Sequence, residues 1–186
     1  MDRPYNALLW FDVSFSLYIG GPGYLGGAGL SVCLGNLPDD APFDEDGAGH
    51  GLRVVFRSQQ LNFFTSSSST DEFVEVWHAG ELLHSVALGK WLRTSTWVPV
   101  RLRLDERGLS VWHNFREWIT SFEIRSWTPD ASWRLGFGAR STFNDERHLL
   151  DELRIESGLL VDESVTSVGL SLNSQQFTPS VRSSII

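Results

Sequence analysis

This sequence has little of several features that usually point to a class of protein. It contains one cysteine, Cys33, so it cannot form an internal disulfide. No apolar run is long enough to cross a bilayer, no N-terminal signal region is visible, and no asparagine lies in an N-glycosylation sequon. Basic residues are scarce, because 15 Lys and Arg stand against 23 Asp and Glu, for a net charge of −8. These absences argue against membrane insertion and against nucleic-acid binding.

Alternating apolar residues are what the sequence has in abundance. Of its 186 residues, 41% are hydrophobic and 12% aromatic, enough to fill the core of one domain. Between Leu9 and Leu17 every second residue is apolar, which is the pattern of a half-buried strand. Cys33 lies in a similar stretch and is predicted to be a small buried or half-buried strand residue, since nothing in the sequence places a base beside its thiol.

The same pattern recurs along the chain, and no window shows a helical period of useful length. Tight turns are predicted at Ala79-Gly80 and at Asp105–Gly108. Many short strands with turn signals between them predict an all-β sandwich or barrel. Further strands are expected at about 28–34, 51–57, 60–65, 72–78, 81–88, 97–104, 109–114, 117–124, 132–140 and 147–156.

The stretch GFGARSTFNDERHLLDELRI, residues 136–155, predicts a strand, an exposed loop at Ser141–Arg147 and a second strand. In the second strand, alternation places Leu149, Leu153 and Ile155 on one face. Asp151 is expected on that same face, where an acid would need hydrogen-bond partners.

Four segments in order make the chain resemble the concanavalin A-like lectin/glucanase family. They are GGAGLSVCL, GHGLRVVFRSQ, WVPVRLRLDERGLSVWHN and the closing GFGARS hairpin. The resemblance covers roughly residues 7–156. It implies an all-β fold, a concanavalin A-like jelly-roll sandwich of two antiparallel sheets.

The resemblance also implies a sugar site built from loops at one end of the sandwich. The first loop supplies an Asp in carbohydrate-binding members, but this chain has Ala28 there, which cannot accept hydrogen bonds from sugar hydroxyls. The second loop supplies a glycine whose backbone approaches the sugar, and Gly47 or Gly49 could correspond to it.

The third loop holds calcium and a transition metal in legume-type lectins. Where that pattern has Glu and Asp, this chain has Val55 and Arg57, and a guanidinium repels a cation. The legume-type metal ligands are therefore expected to be absent, although Asn62 could remain as a sugar-binding residue. No metal ligand and no cofactor is predicted, with calcium left open.

The fourth loop keeps its length and offers a chemically suitable set for a glycan or a polar protein surface, against the simpler reading of a solvated hairpin loop. Its candidate ligand-binding residues are Arg140, Ser141, Thr142, Phe143, Asn144 and Asp145. A rebuilt calcium site in the acidic segment is the weaker alternative to a solvated acidic loop, because the spacing is not that of an EF-hand. That segment contains Asp39, Asp40, Asp44, Glu45 and Asp46.

No catalytic residue is predicted. Retaining glucanases of this fold place two glutamates around an aspartate on one strand. The nearest approximations here, Asp71–Glu75 and Asp151–Glu156, do not reproduce that spacing, and Glu72 points away from Glu75 by strand parity. A divergent glycoside hydrolase would need a carboxylate pair that the sequence does not show.

The expected function is a non-enzymatic recognition or adhesion module of a larger protein, extracellular or at the cell surface, with a glycan or glycoprotein as partner. The rival is a structural or assembly domain that contacts neighbouring modules and binds no sugar. An exposed apolar patch, such as Trp118 with Phe122 or Trp10 with Tyr18, would favour that rival. We expect residues 1–158 to form the lectin-like domain and residues 159–186 to be a linker and the start of a following β module.

Overall fold

The computed structural model describes residues 8–21, 29–38, 46–58, 72–125, 133–140, 147–161 and 164–171. These residues contain strands and turns, and no helix among them is long and apolar enough to span a membrane. The strands are β1 Leu8–Gly20, β2 Gly29–Asn36, β3 His50–Arg57, β4 Glu72–His78, β5 Glu81–Gly89, β6 Trp97–Asp105, β7 Gly108–His113, β8 Arg116–Phe122, β9 Arg134–Arg140, β10 Arg147–Val161 and β11 Ser164–Ser171.

The strands form two antiparallel sheets. One has six strands in the order β11-β10-β1-β6-β7-β8, and the other has five in the order β5-β4-β3-β2-β9. Strands that are distant in sequence, such as β1 and β10 or β2 and β9, are neighbours in space. This is the jelly-roll sandwich that the sequence predicted. The predicted strand at 60–65 lies outside the described residues.

The core lies between the two sheets and is filled by the alternating residues of the sequence pattern. In β1, Phe11, Val13, Phe15 and Leu17 are buried as predicted, while the residues between them are only partly so. Cys33 is fully buried in β2, also as predicted. The largest fully buried side chains are Phe56, Leu17, Ile19, Leu30, Leu52, Leu88, Leu92, Leu102, Leu109, His113 and Val13.

The prediction for the face of Asp151 is wrong. Between Ser14 and Ser16 the register of β1 against β10 shifts by one residue, and Glu152 has a positive φ of 55°. This β-bulge turns Asp151 out to solvent and brings Leu150 rather than Leu149 against the core. The Ser16 hydroxyl donates to the Glu152 carboxylate across the bulge, at 2.8 Å.

The end of β10 continues past the expected domain boundary at residue 158. It runs to Val161 and pairs with β11, for instance Ile155 with Leu170 and Leu159 with Thr166. Residues 164–171 are thus a strand at the edge of the six-stranded sheet. The division of the chain at residue 158 stays a prediction.

One end of the sandwich, called the loop end below, is defined by Gly29, Arg57, Gly89 and Arg140 of the five-stranded sheet and by Gly20 of the other. The connection from β5 to β6 joins the sheets there. Its Ser95 N–H donates to the Ile19 carbonyl at 3.0 Å. The chain leaves β3 and β9 at this end, where the sequence placed the candidate loops.

Candidate functional site

The outer face of the five-stranded sheet carries an unusual set of polar side chains. Val54, Phe56, Val74 and Val76 point into the core, so the residues between them face outward. Direct cross-strand pairs on that outer face join Arg53 to Trp77, Val55 to Glu75 and Arg57 to Phe73.

Arg57 is the centre of this set. Its Nη2 lies 2.8 Å from Asp46 Oδ1 and 3.1 Å from Glu75 Oε2, and its Nε lies 3.3 Å from the same Glu75 oxygen. The Arg57 side chain is 16% exposed and that of Glu75 is 9% exposed. Burial opposes the charge of Arg57, but hydrogen bonds and the charges of Glu75 and Asp46 outweigh it. The pKa of Arg57 is therefore raised above its ordinary value, and the residue stays a cation.

Arg53 and Trp77 lie beside these three residues. We call the whole set the Arg57 cluster; its members are Asp46, Arg53, Arg57, Glu75 and Trp77. The Trp77 Nε1–H donates to Glu75 Oε2 at 3.0 Å, so that oxygen accepts from both side chains. Arg53 Nη1 donates to the Asp46 carbonyl at 2.8 Å, and its guanidinium lies 5.5 Å from the Trp77 ring centroid. Every charged member of the cluster has a partner.

Small residues on β2 and β9 let residues 46–49 cross the outer face of the five-stranded sheet. Ser31 pairs with Gly138 and Cys33 with Gly136, leaving a shallow floor beside the cluster. Gly47 lies over that floor with a φ of 73°, and a Cβ there would collide with the Cys33 sulfur. The backbone of residues 46–49 therefore packs directly on the sheet.

Gly49 also packs closely against another part of the chain. Its φ is 80°, and a Cβ on it would collide with the Asn36 carbonyl oxygen. The absence of a side chain thus lets the backbone approach the Cys33 side chain at Gly47 and the Asn36 backbone at Gly49. Contact of Gly47 or Gly49 with a sugar stays a prediction.

Arg140, the first predicted residue of the fourth loop, is exposed at the end of β9. It pairs with Gly29, which pairs on its other side with Arg57. Arg140 and Arg57 are therefore in one row, two strand spacings or about 10 Å apart, with a glycine between them. Both arginines lie at the loop end. Asn62 and the rest of the fourth loop, Ser141–Asp145, lie outside the described residues.

Solved domains of two other proteins share this architecture. The exoplasmic/lumenal domain of VIP36 in its calcium- and mannose-bound form matches with a TM-score of 0.62 and 15% identity, over 93% of this chain and 80% of that chain. The metal-free form of the same domain gives 0.60 and 15%, over 90% and 78%. The carbohydrate recognition domain of Emp47p gives 0.54 and 15%, over 81% and 74%. This chain has a concanavalin A-like fold. No protein-family model and no curated protein matches its sequence.

At the third-loop positions discussed above, the described residues do not offer the oxygen ligands that calcium needs. At the two positions where the family resemblance implies carboxylates stand Val55, which is 1% exposed, and Arg57. Within the described ranges no group of three or more His, Cys, Asp or Glu could hold a metal. The two nearby carboxylates, Asp46 and Glu75, already accept hydrogen bonds from Arg57. Asp39, Asp40, Asp44, Glu45 and Asp145 lie outside the described residues, so a calcium site among them stays untested.

Glu72 and Glu75, two of the carboxylates considered for a glucanase pair, both accept hydrogen bonds within the chain. Glu72 is buried on the inner side of β4, where its carboxylate accepts the Leu92 N–H and, at 3.2 Å, the Arg93 N–H. Glu75 points outward into the Arg57 cluster. The two glutamates therefore face opposite sides of the sheet, as strand parity predicted.

Sequence reasoning missed both the Arg57 cluster and a group of exposed aromatic residues. Trp91, Trp97 and Phe115 are 55%, 48% and 87% exposed, and all three lie at the loop end. Part of the signal for the cluster was present, because strand parity puts Arg53 and Arg57 of β3 on the same face of the sheet as Glu75 and Trp77 of β4. What the sequence could not show is that Asp46 returns over the same face.

Proposed function

We propose that this chain is a non-enzymatic glycan-recognition module whose site lies at the loop end of the outer face of the five-stranded sheet. The observation that carries the proposal is the row in which Arg140, Gly29 and Arg57 lie side by side. It lies where the chain enters the predicted binding loops, on a fold that VIP36 and Emp47p use in domains described as carbohydrate-bound or carbohydrate-recognising.

The chemistry of this row suits sugar hydroxyls. Arg140 carries several N–H donors, and the glycine beside it leaves room for a ring to approach the sheet. The Asp46 side chain is 59% exposed and adds a carboxylate that can accept hydroxyl protons. A carboxylate at Asp46 supplies the acceptor that Ala28 cannot.

The setting we propose is a larger protein that faces the cell exterior or the lumen of the secretory pathway. The VIP36 domain is described as exoplasmic or lumenal, which supports this placement. A glycan or glycoprotein is the proposed partner, and adhesion is the role that such a module would serve.

The test is a glycan array followed by substitution of the row. We expect selective binding, and Arg140→Ala should weaken binding to the selected glycan by roughly tenfold or more, the loss of one to two hydrogen bonds to a charged donor. Arg103→Ala is the matched control, because Arg103 is a partly exposed strand arginine on the other sheet that pairs with Asp105 at 3.1 Å. Equal binding by Arg140→Ala and the native chain would overturn the placement of the site.

Exposed aromatic residues at the loop end favour the assembly-domain alternative, although they are not the pairs that the sequence suggested. The pairs that the sequence suggested do not form an exposed patch, because Trp118 and Phe122 pack against the core and Trp10 lies over Gly158. The exposed aromatic residues at the loop end, Trp91, Trp97 and Phe115, are the better candidates for a protein contact. Silence on the array, together with self-association in sedimentation that Trp97→Ser and Phe115→Ser abolish, would favour this alternative.

A further inference from the structure

We propose that the Arg57 guanidinium is a built-in cation that holds residues 46–49 on the sheet and so organises the site without a divalent metal. This inference concerns the site of the proposed function, and its consequence for glycan binding rests on that function. Its structural content can be tested separately.

The geometry of Arg57 is that of a bridge between two carboxylates from different parts of the chain. Its Nη2 lies within hydrogen-bond distance of both Asp46 and Glu75. Asp46 belongs to the segment that crosses the outer face, whereas Glu75 is fixed in the middle of β4. Removing the cation would leave two negative charges facing one another, one of them largely buried.

The position of Arg57 is also the position where the family resemblance implies a metal-binding carboxylate. A metal ligand there would be an oxygen about 2.3–2.6 Å from a calcium ion. The 2.8 and 3.1 Å separations of the two carboxylates from Arg57 are instead those of N–H···O hydrogen bonds. The carboxylates of Asp46 and Glu75 are therefore arranged around the Arg57 guanidinium.

The rest of the cluster holds Arg57 and Asp46 in place. The Trp77 indole and the Arg57 guanidinium share one oxygen of Glu75, which fixes that carboxylate. Arg53, on the same outward face of β3 with Val55 between it and Arg57, donates to the Asp46 backbone carbonyl. Gly47 then lies against Cys33 with no room for a side chain. Arg57 is thus a positioning residue for the Asp46 carboxylate that we propose faces the ligand.

The experiment compares unfolding temperatures and local hydrogen exchange in calcium and in a chelator. The native chain should have the same Tm in both. Arg57→Met should lower Tm by roughly 4–10 °C and raise exchange of the amides of residues 46–50 by roughly tenfold. Arg101→Met is the matched control, because Arg101 pairs with Asp12 at 2.9 Å on the more exposed outer face of the six-stranded sheet and should change Tm little.

Arg57→Asp supplies a readout that a merely structural role would not move. It replaces the cation by a third carboxylate beside those of Asp46 and Glu75, so it should be less stable than the native chain in chelator and regain part of its Tm with calcium. Failure of calcium to rescue Arg57→Asp would contradict the proposal. So would a calcium-induced rise in Tm of the native chain, or unchanged exchange at residues 46–50 in Arg57→Met. Since these readouts involve no sugar, a failure of glycan binding alone would overturn only the proposed function.

Discussion

His113 shows what a single buried residue can impose on this molecule. It lies between the sheets, 1% exposed, with its ring 6.4 Å from that of Phe56, and neither ring nitrogen has a hydrogen-bond partner among the residues that the structure describes. Burial lowers the pKa of His113 to about 4. Strand parity alone predicts the inward direction of this side chain, since Leu109 and Val111 alternate with it. The missing partner could not be read from the sequence.

The pH dependence of stability follows from this pKa. Since the folded-state pKa is below the unfolded value of about 6.5, the unfolded state takes up the proton first. Stability is therefore full above about pH 6.5 and falls as the pH decreases toward 4, by roughly 2 kcal/mol at pH 5. Urea unfolding at pH 7.5 and pH 5 should show this loss in the native chain and a smaller loss in His113→Leu. His50→Gln, a change at an exposed histidine, should behave like the native chain. Equal losses in His113→Leu and the native chain would refute the assignment.

At the scale of single elements, the β7–β8 hairpin is strained at its tip. Asn114 and Phe115 have positive φ values of 51° and 62°, a turn that normally takes glycine at its second position. Phe115 is nevertheless 87% exposed and gains little packing there. The sequence signals for a turn here were weak. The predicted strands therefore end at residue 114 and resume at 117, one residue later at each position than the observed strands, which end at His113 and resume at Arg116.

Phe115→Gly should stabilise the chain, because it relieves the left-handed strain and removes almost no contact. The expected gain is about 1 kcal/mol, or roughly 2–4 °C in Tm by calorimetry. The reciprocal change is Gly80→Ala in the β4–β5 turn, where φ is 89°, and it should lower Tm. A fall in Tm for Phe115→Gly would show that the Phe115 side chain packs against something in the folded chain.

The connection from β5 to β6 depends on one buried carboxylate. Glu72, 5% exposed, accepts two successive backbone N–H groups at Leu92 and Arg93 and so ties residues 90–96 to the edge of the core. Sequence reasoning considered Glu72 only as a possible catalytic acid. Its structural use depends on a segment that is about twenty residues away in the chain, which no local pattern records.

Glu72→Ala should destabilise the chain by about 3 kcal/mol, since it removes the carboxylate that accepts from one buried and one partly buried N–H group. Glu72→Gln keeps a carbonyl oxygen and should lose less. Urea unfolding measures both, and exchange of the amides of Leu92 and Arg93 should increase most in Glu72→Ala. If Ala and Gln were equally tolerated, these hydrogen bonds would not be holding the connection.

For the whole molecule, period-two alternation and four family-like segments were enough to predict the sandwich, and the structure confirms it. The prediction was wrong at the bulge, where one residue is added to a strand, and it missed the segment that crosses the outer face of the five-stranded sheet. The bulge at Glu152 reverses the face of Asp151, and the return of residues 46–49 over β2 and β3 creates the Arg57 cluster. Alternation describes each strand separately, so it cannot predict either event.

We propose above that the outer face of the five-stranded sheet binds a glycan, with Arg57 as the cation that organises the site. The most direct test is a glycan array probed with the folded chain in the presence of a chelator. We predict selective binding that added calcium does not change. Silence from folded protein, or a signal that appears only with calcium, would contradict the claim.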